Sequence, residues 1–515
     1  MSDARGDLRR LARGGTANLL GLCYYGGASF LLVIIVTRAL GARQAGAFLI
    51  AVAAFSILVR STQLGADIGM VRTVSGHLAQ GRGAEIPSVA RVAFLPVALF
   101  ATIAGVLVFI FARPLAEVLG GTEMENAVAG CLRIIAVVLP VAAVYQVLES
   151  TSRGYGTVVP SVAVEKIGRV TLQFLGVIAV ITAGLGPVAV TAAWAFPWIV
   201  GLITLSWWIH KLHRNHMAGL EVGSSRIADA SQSPARDFWR FAAPRAPAGT
   251  FQACIMWGDA LILAALTTTA QAGIYSAATR YMVIGVFAQL AISQTIQPIL
   301  GGLVRKGDLD AAEQTYRTGS GWLIALTWPI FLTVGIFALP LLSVFGPAFV
   351  AADTALMILC VGWLVATACG PVDNVLLMAG KGGWTSINSG IGLALNVGLN
   401  LWLIPRFGIT GAALAWSACL IWMNVCPLIQ VHASLGVNPF GPAWPVAVTG
   451  AALIFGGILV CVRFLVGASF TGLAIALVMA VPAYAVYLRA ARQPLQLGTL
   501  VGALRTPGPQ SDDEN

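Results

Sequence analysis

QAGAF at residues 44–48 and QAGIY at residues 271–275 stand 227 positions apart, and their likeness decides how the chain is read. ARPLAEVLG (112–120) returns as ALPLLSVFG (338–346) at an offset of 226. Gly154 and Gly156 match Gly380 and Gly382 at that same offset, while Gly186 and Trp194 match Gly408 and Trp416 at 222. Matches that keep their order, most of them at turns, are the mark of a duplicated unit. The drift in offset needs only a short deletion.

Around these motifs the chain is apolar. Of 515 residues, 58% are hydrophobic and 10% charged, with a mean hydropathy of +0.84, whereas soluble domains carry roughly a quarter charged residues. The apolar runs reach the ~20 residues that a helix needs to cross a bilayer. They predict fourteen spans, near 15–37, 46–70, 90–112, 127–149, 159–183, 187–209, 246–268, 273–300, 319–342, 353–379, 383–404, 409–432, 443–465 and 469–489. Helices alone fit these lengths, because a strand in lipid needs a closed barrel of much shorter segments. The fold class is therefore an all-α integral membrane protein.

The net charge of +10 is a matter of topology rather than of nucleic-acid binding. With the N-terminus in the cytoplasm and sides alternating, the cytoplasmic segments hold 23 basic residues and the opposite side holds five: Arg38, Arg43, Arg113, Arg406 and Arg463. This bias is the one that orients membrane proteins, and it puts both termini inside. The basic N-terminus (Arg5, Arg9, Arg10, Arg13) precedes an apolar run too long for a cleavable signal. All eight cysteines fall within predicted helices without metal-ligand spacing, so neither disulfides nor metal is expected.

Domain boundaries follow from the polar interruptions. A six-helix lobe covers 1–216, a cytoplasmic linker 217–245, and a second six-helix lobe 246–435. An extra helix pair occupies 436–490 and a cytoplasmic tail, read as disordered, 491–515. Because six is even, both lobes begin on the same side and form a parallel repeat, an arrangement that puts a substrate path at the interface of many transporters.

Ionisable groups inside spans are costly and mark candidate sites. Arg60 lies about mid-span, with no acidic partner evident at its depth, and a guanidinium facing a wet cavity suits phosphate. Asp67 follows seven residues later on the same helical face. Asp259 and Arg280 lie at similar depth on successive spans, where an intramembrane ion pair or a functional pair are both open. Gln289, Ser293 and Gln297 fall at i, i+4, i+8; Asp373 and Asn374 lie deep in the tenth span; Asn388, Asn396 and Asn400 share a face of the eleventh. Cavity lining and interhelical bonding both remain open for these stripes. Glu149, Arg153, Glu165 and Arg169, at the ends of spans four and five, read as a gate or a solvated bridge. His210, His213 and His216 read as part of a solvated linker. The chain has no nucleophile elbow, zinc-protease motif or phosphate-binding glycine loop, so neither an enzyme nor a cofactor is expected.

The stretch TRALGARQAGAFLIAVAAFSILVRSTQLGADIGMVRTVSGHLAQGR (37–82), together with MWGDALILAAL and QAGIYSAATRY in the second half, resembles the multidrug/oligosaccharidyl-lipid/polysaccharide (MOP) exporter superfamily, in its polysaccharide flippase (Wzx-like) branch. That resemblance implies two lobes like those of multidrug antiporters and lipid II flippases, working by alternating access. It also implies a polyprenyl-diphosphate-linked oligosaccharide as cargo, moved to the outer leaflet of a bacterial cytoplasmic membrane for cell-surface polysaccharide synthesis. Membrane lipids, a polysaccharide polymerase and glycosyltransferases would be its partners. In lipid II flippases, arginines of the second and eighth helices are thought to grip the diphosphate, and Arg60 and Arg280 occupy those helices here. An arginine of the first helix has no counterpart, since the mid-span residues are Tyr24 and Tyr25. Two alternatives stay open: a cation-coupled multidrug antiporter using Asp259, and a non-transporting scaffold or scramblase.

Overall fold

The computed structural model describes residues 2–218 and 234–496, apart from the side chains of 2–19 and of Ala218, Pro234, Ala291, Gln294, Thr295, Pro298, Arg305 and Gly382. Most of the linker and the tail from residue 497 lie outside the described residues, as do the side chains of the N-terminal arginines. The chain forms two compact units, one of Thr16–Ser276 and one of Ala277–Asn515 with Met1–Gly15.

The first unit is built from most of α1 (Ser2–Thr62), α2 (Ala66–Ala79), α3 (Ile86–Ile110), α4 (Ala112–Gly154), α5 (Val170–Thr182), α6 (Pro187–Ala218), α7 (Pro234–Ala242), α8 (Ala246–Leu266) and most of α9 (Thr269–Ala278). The second holds α10 (Val283–Lys306), α11 (Leu309–Ile336), α12 (Ala338–Ser343), α13 (Asp353–Ala368), α14 (Val372–Met378), α15 (Gly382–Phe407), α16 (Ile409–Leu435), α17 (Ala443–Gly450), α18 (Ile458–Val466) and α19 (Phe470–Ala490). Among the described residues, eleven helical stretches are long and apolar enough to cross a membrane. One of them, Leu20–Thr62, bends at Gly41 (φ 71°) and contains the first two expected spans. The fifth expected span runs through the π-helical turns Ser161–Arg169 into α5 and carries Glu165, Lys166 and Arg169 in its first half. The eighth runs through the 3-10 turn Thr279–Met282 into α10 and includes residues whose side chains lie outside the described ones, so neither is among the eleven.

The duplication is also written in the turns. Left-handed glycines recur at Gly81 and Gly307, at Gly156 and Gly380, and at Gly184 and Gly408. Only glycine adopts this conformation without steric cost. Their offsets are 226, 224 and 224, so the turn geometry pairs Gly156 with Gly380, and Gly184 with Gly408, one step away from the pairs the letters suggest. The repeated ARPLAEVLG and ALPLLSVFG segments each make a short helix, closed by a positive-φ glycine at Gly121 and Gly346. The duplicated tryptophans both sit in aromatic cores. Trp194 meets Phe48, Phe55 and Trp198 edge-on, and Trp416 lies 6.1 Å from Trp363.

The two QAG motifs meet within the first unit. A Cβ built on Gly273 would lie 2.8 Å from the Gly46 Cα, and one on Gly46 would overlap the Thr269 carbonyl oxygen. Small residues are what let helix backbones approach this closely in a membrane. Ile50, Ala264 and Ala272 bury beside this crossing, which is why α8 belongs to the first unit. In the second unit, α18 and α19 pack on α11 through Phe455, Leu459, Ala480 and Tyr484 around Phe337, and Tyr484 donates to the Ala325 carbonyl at 2.9 Å.

At the centre of the first unit, Glu165 and Arg169 form a two-point ion pair (2.7 and 2.5 Å), and the Arg169 side chain is only 3% exposed. The guanidinium lies 4.2 Å over the Trp198 ring, which in turn meets Tyr145 edge-on at 5.4 Å. Glu149 is buried too and accepts from the Ser161 hydroxyl. The expectation of a solvated bridge is thus corrected for Glu165 and Arg169, whereas Arg153, 47% exposed, bridges Glu149 from the solvated side at 3.4 Å. The pair lies within the π turns Ser161–Arg169, an irregularity frequent at functional sites. Arg169→Met leaves Glu165 buried without its partner and should cost about 3–5 kcal/mol, read as a lower thermal midpoint in detergent. An unchanged midpoint would contradict this burial. Gly46→Val should cost about 1–3 kcal/mol by overpacking, whereas Gly258→Ala, whose Cβ meets nothing within 4 Å, should be neutral in the same melting experiment.

Candidate functional site

Arg60 ends α1, and the chain then breaks through two left-handed residues, Leu64 (φ 54°) and Gly65 (φ 76°), before α2 starts at Ala66. Gly65 is obligatory twice over, since a Cβ there would also overlap the Ala242 carbonyl oxygen. The break brings Asp67, in the first turn of α2, back toward the end of α1. Arg60 Nη1 donates to Asp67 Oδ2 at 2.7 Å and to Gln63 Oε1 at 2.7 Å. A carboxylate at a helix N-terminus is favoured by the helix dipole, so Asp67 is a fixed anchor. The reading of Arg60 as a cation without an acidic partner is corrected: a continuous helix separates residues 60 and 67 by two turns, and only the break closes that gap.

The pair is not sealed. The Arg60 side chain stays 41% exposed against 13% for Asp67, and both hydrogen bonds use Nη1, leaving the donors on Nε and Nη2. Gly249 of α8 lies alongside: a Cβ on it would stand 3.2 Å from Arg60 Nε and 3.6 Å from Nη2. Arg60 is thus held by one nitrogen, with Nε and Nη2 set against a helix surface pared down to backbone. Such a pre-oriented fork suits a phosphate oxygen.

Asp259 lies on α8, 2% exposed, and accepts from the Tyr275 hydroxyl at 3.2 Å. Arg280 belongs to the second unit, half-buried in the turn Thr279–Met282. In that unit Gln289, Ser293 and Gln297 form a half-buried row on α10 without a hydrogen-bond partner among the described residues, as befits a water-lined surface. The Gln294 side chain lies outside the described residues. The tenth expected span is interrupted at Cys369–Gly370–Pro371, where Gly370 has φ 69° and a Cβ would overlap Ser320 Oγ. Tyr316 donates to the freed Cys369 carbonyl at 2.7 Å. Asp373 and Asn374 therefore sit half-buried in the first turn of α14, just past a helix break, as Asp67 does.

Other polar groups resolve as structure. Asn388 and Gln430 exchange amide bonds at 2.8 and 2.9 Å, joining α15 to α16, and Asn400 bonds back to Asn396. The histidine trio lies on the continuing α6 helix rather than in a linker, with Tyr155 bonded to His213 Nδ1 at 2.9 Å and packed edge-on against His216. Arg133, inside the fourth span and passed over in the sequence reading, points its guanidinium at Phe109, 5.9 Å from the ring centre.

The fold has relatives among solved structures. The chain resembles a lipid II flippase, MurJ, in an inward closed conformation (TM-score 0.72, 12% identity, 93% of this chain and 99% of that one). It also resembles an inward-facing MATE multidrug resistance transporter of the MOP superfamily (TM-score 0.61, 14% identity, 81% and 94%). Among curated proteins, a probable low-salt glycan biosynthesis flippase, Agl15 of Haloferax volcanii, is 24% identical over 409 residues, covering 79% of this chain and 80% of its own. The molecule is a multi-pass, flippase-like membrane transporter of the MOP superfamily. Within it, the chain belongs to the polysaccharide biosynthesis protein family, whose model matches residues 11–304.

Gly249→Leu should push Arg60 off α8 and impair function while Asp67 still holds its Nη1. Transport by the Gly249→Leu variant should fall by roughly tenfold or more, the loss of one charge-assisted bond, at unchanged expression. Full transport would show that the Arg60–α8 contact is dispensable.

Proposed function

We propose that this protein moves a polyprenyl-diphosphate-linked oligosaccharide from the cytoplasmic to the outer leaflet of a bacterial cytoplasmic membrane by alternating access, with both termini in the cytoplasm. The lipid tail stays in the bilayer while the headgroup passes through a polar interior. The observation that carries this reading is the half-exposed Arg60 fork, anchored at Nη1 by Asp67 and Gln63. A cation held this way sits in the last turn of its spanning helix rather than at the mid-span depth expected of it, and there it recognises a phosphate and disfavours a cationic drug. Arg280 is proposed as the second diphosphate ligand. Gln289, Gln297, Asp373 and Asn374 are proposed to line the polar path, where their unsatisfied amide and carboxyl groups face water or sugar hydroxyls. Family membership supports the glycan cargo, as does the likeness to a probable glycan flippase and to a lipid II flippase.

A second reading has its own observation. Asp259 is a carboxylate buried in the seventh span with a tyrosine donor, a group suited to binding a proton or a monovalent cation and coupling it to export. It is compatible with either cargo.

Complementation separates the two. In cells lacking the protein, Arg60→Ala should fail to restore surface polysaccharide at normal expression, with flux down roughly 10–100-fold, the worth of a hydrogen bond to a charged group. Arg60→Lys should rescue only partly, because an ammonium lacks the planar fork. Asp67→Asn keeps the guanidinium charged and should retain most of the flux. Full flux in Arg60→Ala would remove the diphosphate assignment and leave Asp259 as the residue that matters.

A further inference from the structure

Beyond the transport path, the first unit carries a second built cationic feature, on the face the charge bias assigns to the cytoplasm. Helix α7, PARDFWRFA, is amphipathic. Phe238 is 3% exposed, and its ring packs where Gly69 of α2 has no side chain, 2.9 Å from a built Cβ. Trp239 Nε1 donates to the Val92 carbonyl of α3 at 3.2 Å. With Ala242 against Gly65, these contacts clamp α7 across the ends of α2 and α3. Its outer face shows Arg236, Asp237 and Arg240, all exposed.

Phe241, at the C-terminal end of α7, holds two arginines at once. Arg72 of α2 has its Cζ 4.0 Å from the ring centre and Arg245, just before α8, has its Cζ 3.8 Å away. The two guanidinium carbons are therefore at most 7.8 Å apart. Arg245 is further fixed by a 2.6 Å bond from Nη1 to the Phe241 carbonyl. Both are exposed, and neither makes an ion pair with a carboxylate among the described residues. Arg240 on the outer face of α7 is exposed as well. Two like charges held on one ring repel each other, and a bound anion relieves that repulsion. A guanidinium takes a phosphate oxygen through N–H···O bonds of ~2.8 Å, and an anion beside Phe241 faces the field of both cations.

The depth of the feature points to the source of the phosphate. Helix α8 alone, Ala246–Leu266, supplies the ~20 residues that span the hydrocarbon. Arg245, immediately before it, is then at headgroup level, as an interfacial amphipathic helix requires of its polar face. We propose that α2, α7 and the start of α8 form a binding site for an anionic phospholipid of the cytoplasmic leaflet, its phosphate held between Arg72 and Arg245 and its acyl chains in the surrounding bilayer. The site rests on this face alone and is independent of the transported cargo.

Native mass spectrometry of the purified full chain, released from nanodiscs containing equal phosphatidylglycerol and phosphatidylcholine with matched chains, tests it. The wild type should retain phosphatidylglycerol preferentially. The preference should fall by roughly thirtyfold in Arg72→Gln/Arg245→Gln, two headgroup-facing cations contributing about 1 kcal/mol each. Arg72→Lys/Arg245→Lys, which keeps both charges, should retain part of it, so a fold defect in the glutamine variant would not mimic the result. No preference in the wild type, or an unchanged preference in the glutamine variant with an intact melting curve, would overturn the site. Displacement of the lipid by millimolar inorganic phosphate would also overturn it, by marking a site for free anions.

Discussion

A peptide group inside hydrocarbon has no water to bond, so a spanning chain must close its own hydrogen bonds or be compensated wherever it does not. This constraint explains both the near-uniform helix of the molecule and the meaning of its interruptions. Breaks within or between the helices fall at Gly41, Leu64–Gly65, Gly121 and Cys369–Pro371. At two of them a carboxylate opens the helix that follows, Asp67 in α2 and Asp373 in α14. At Cys369 the freed carbonyl is capped by the Tyr316 hydroxyl. Helix ends inside a membrane offer dipoles and orphan polar groups, which suits them to a polar substrate.

The two halves share turns without sharing all of these breaks. Left-handed glycines recur at nearly constant offsets, and each half ends its third span in a short helix closed by glycine. The chemistry laid on this scaffold differs. The first unit has an arginine braced by a carboxylate and a buried Glu165–Arg169 pair beneath tryptophan. The second has a row of glutamine and serine side chains and an amide pair between α15 and α16. A buried ion pair is a poor source of net stability, so Glu165–Arg169 acts better as a register device for α4, α5 and α6 than as a stabiliser.

Much of this was legible in the letters. Apolar runs carried the helical membrane class and most of the spans, because hydropathy is a local property. Arg60 could be singled out for the same reason. Its partner could not, because a helical wheel assumes an unbroken helix and Leu64 carries no warning of a left-handed turn. The burial of Arg169 was hidden likewise, since its packing against Trp198, 29 residues away, is a tertiary contact. The Asn388 stripe fitted a cavity and an interhelical bond equally well until Gln430, 42 residues away, was found opposite it. The arginines around Phe241 come from three elements, and only tertiary packing assembles them.

The claim that this transporter carries a phosphate-linked glycan lipid is tested most directly by mass spectrometry of polyprenyl-linked lipids from cells with and without it, in a background free of redundant transporters. Accumulation of one polyprenyl-diphosphate-linked oligosaccharide in its absence, reversed by the wild-type protein, is the expected result and identifies the cargo. Lipid pools that do not change would contradict a glycan-lipid cargo and point to another exported molecule.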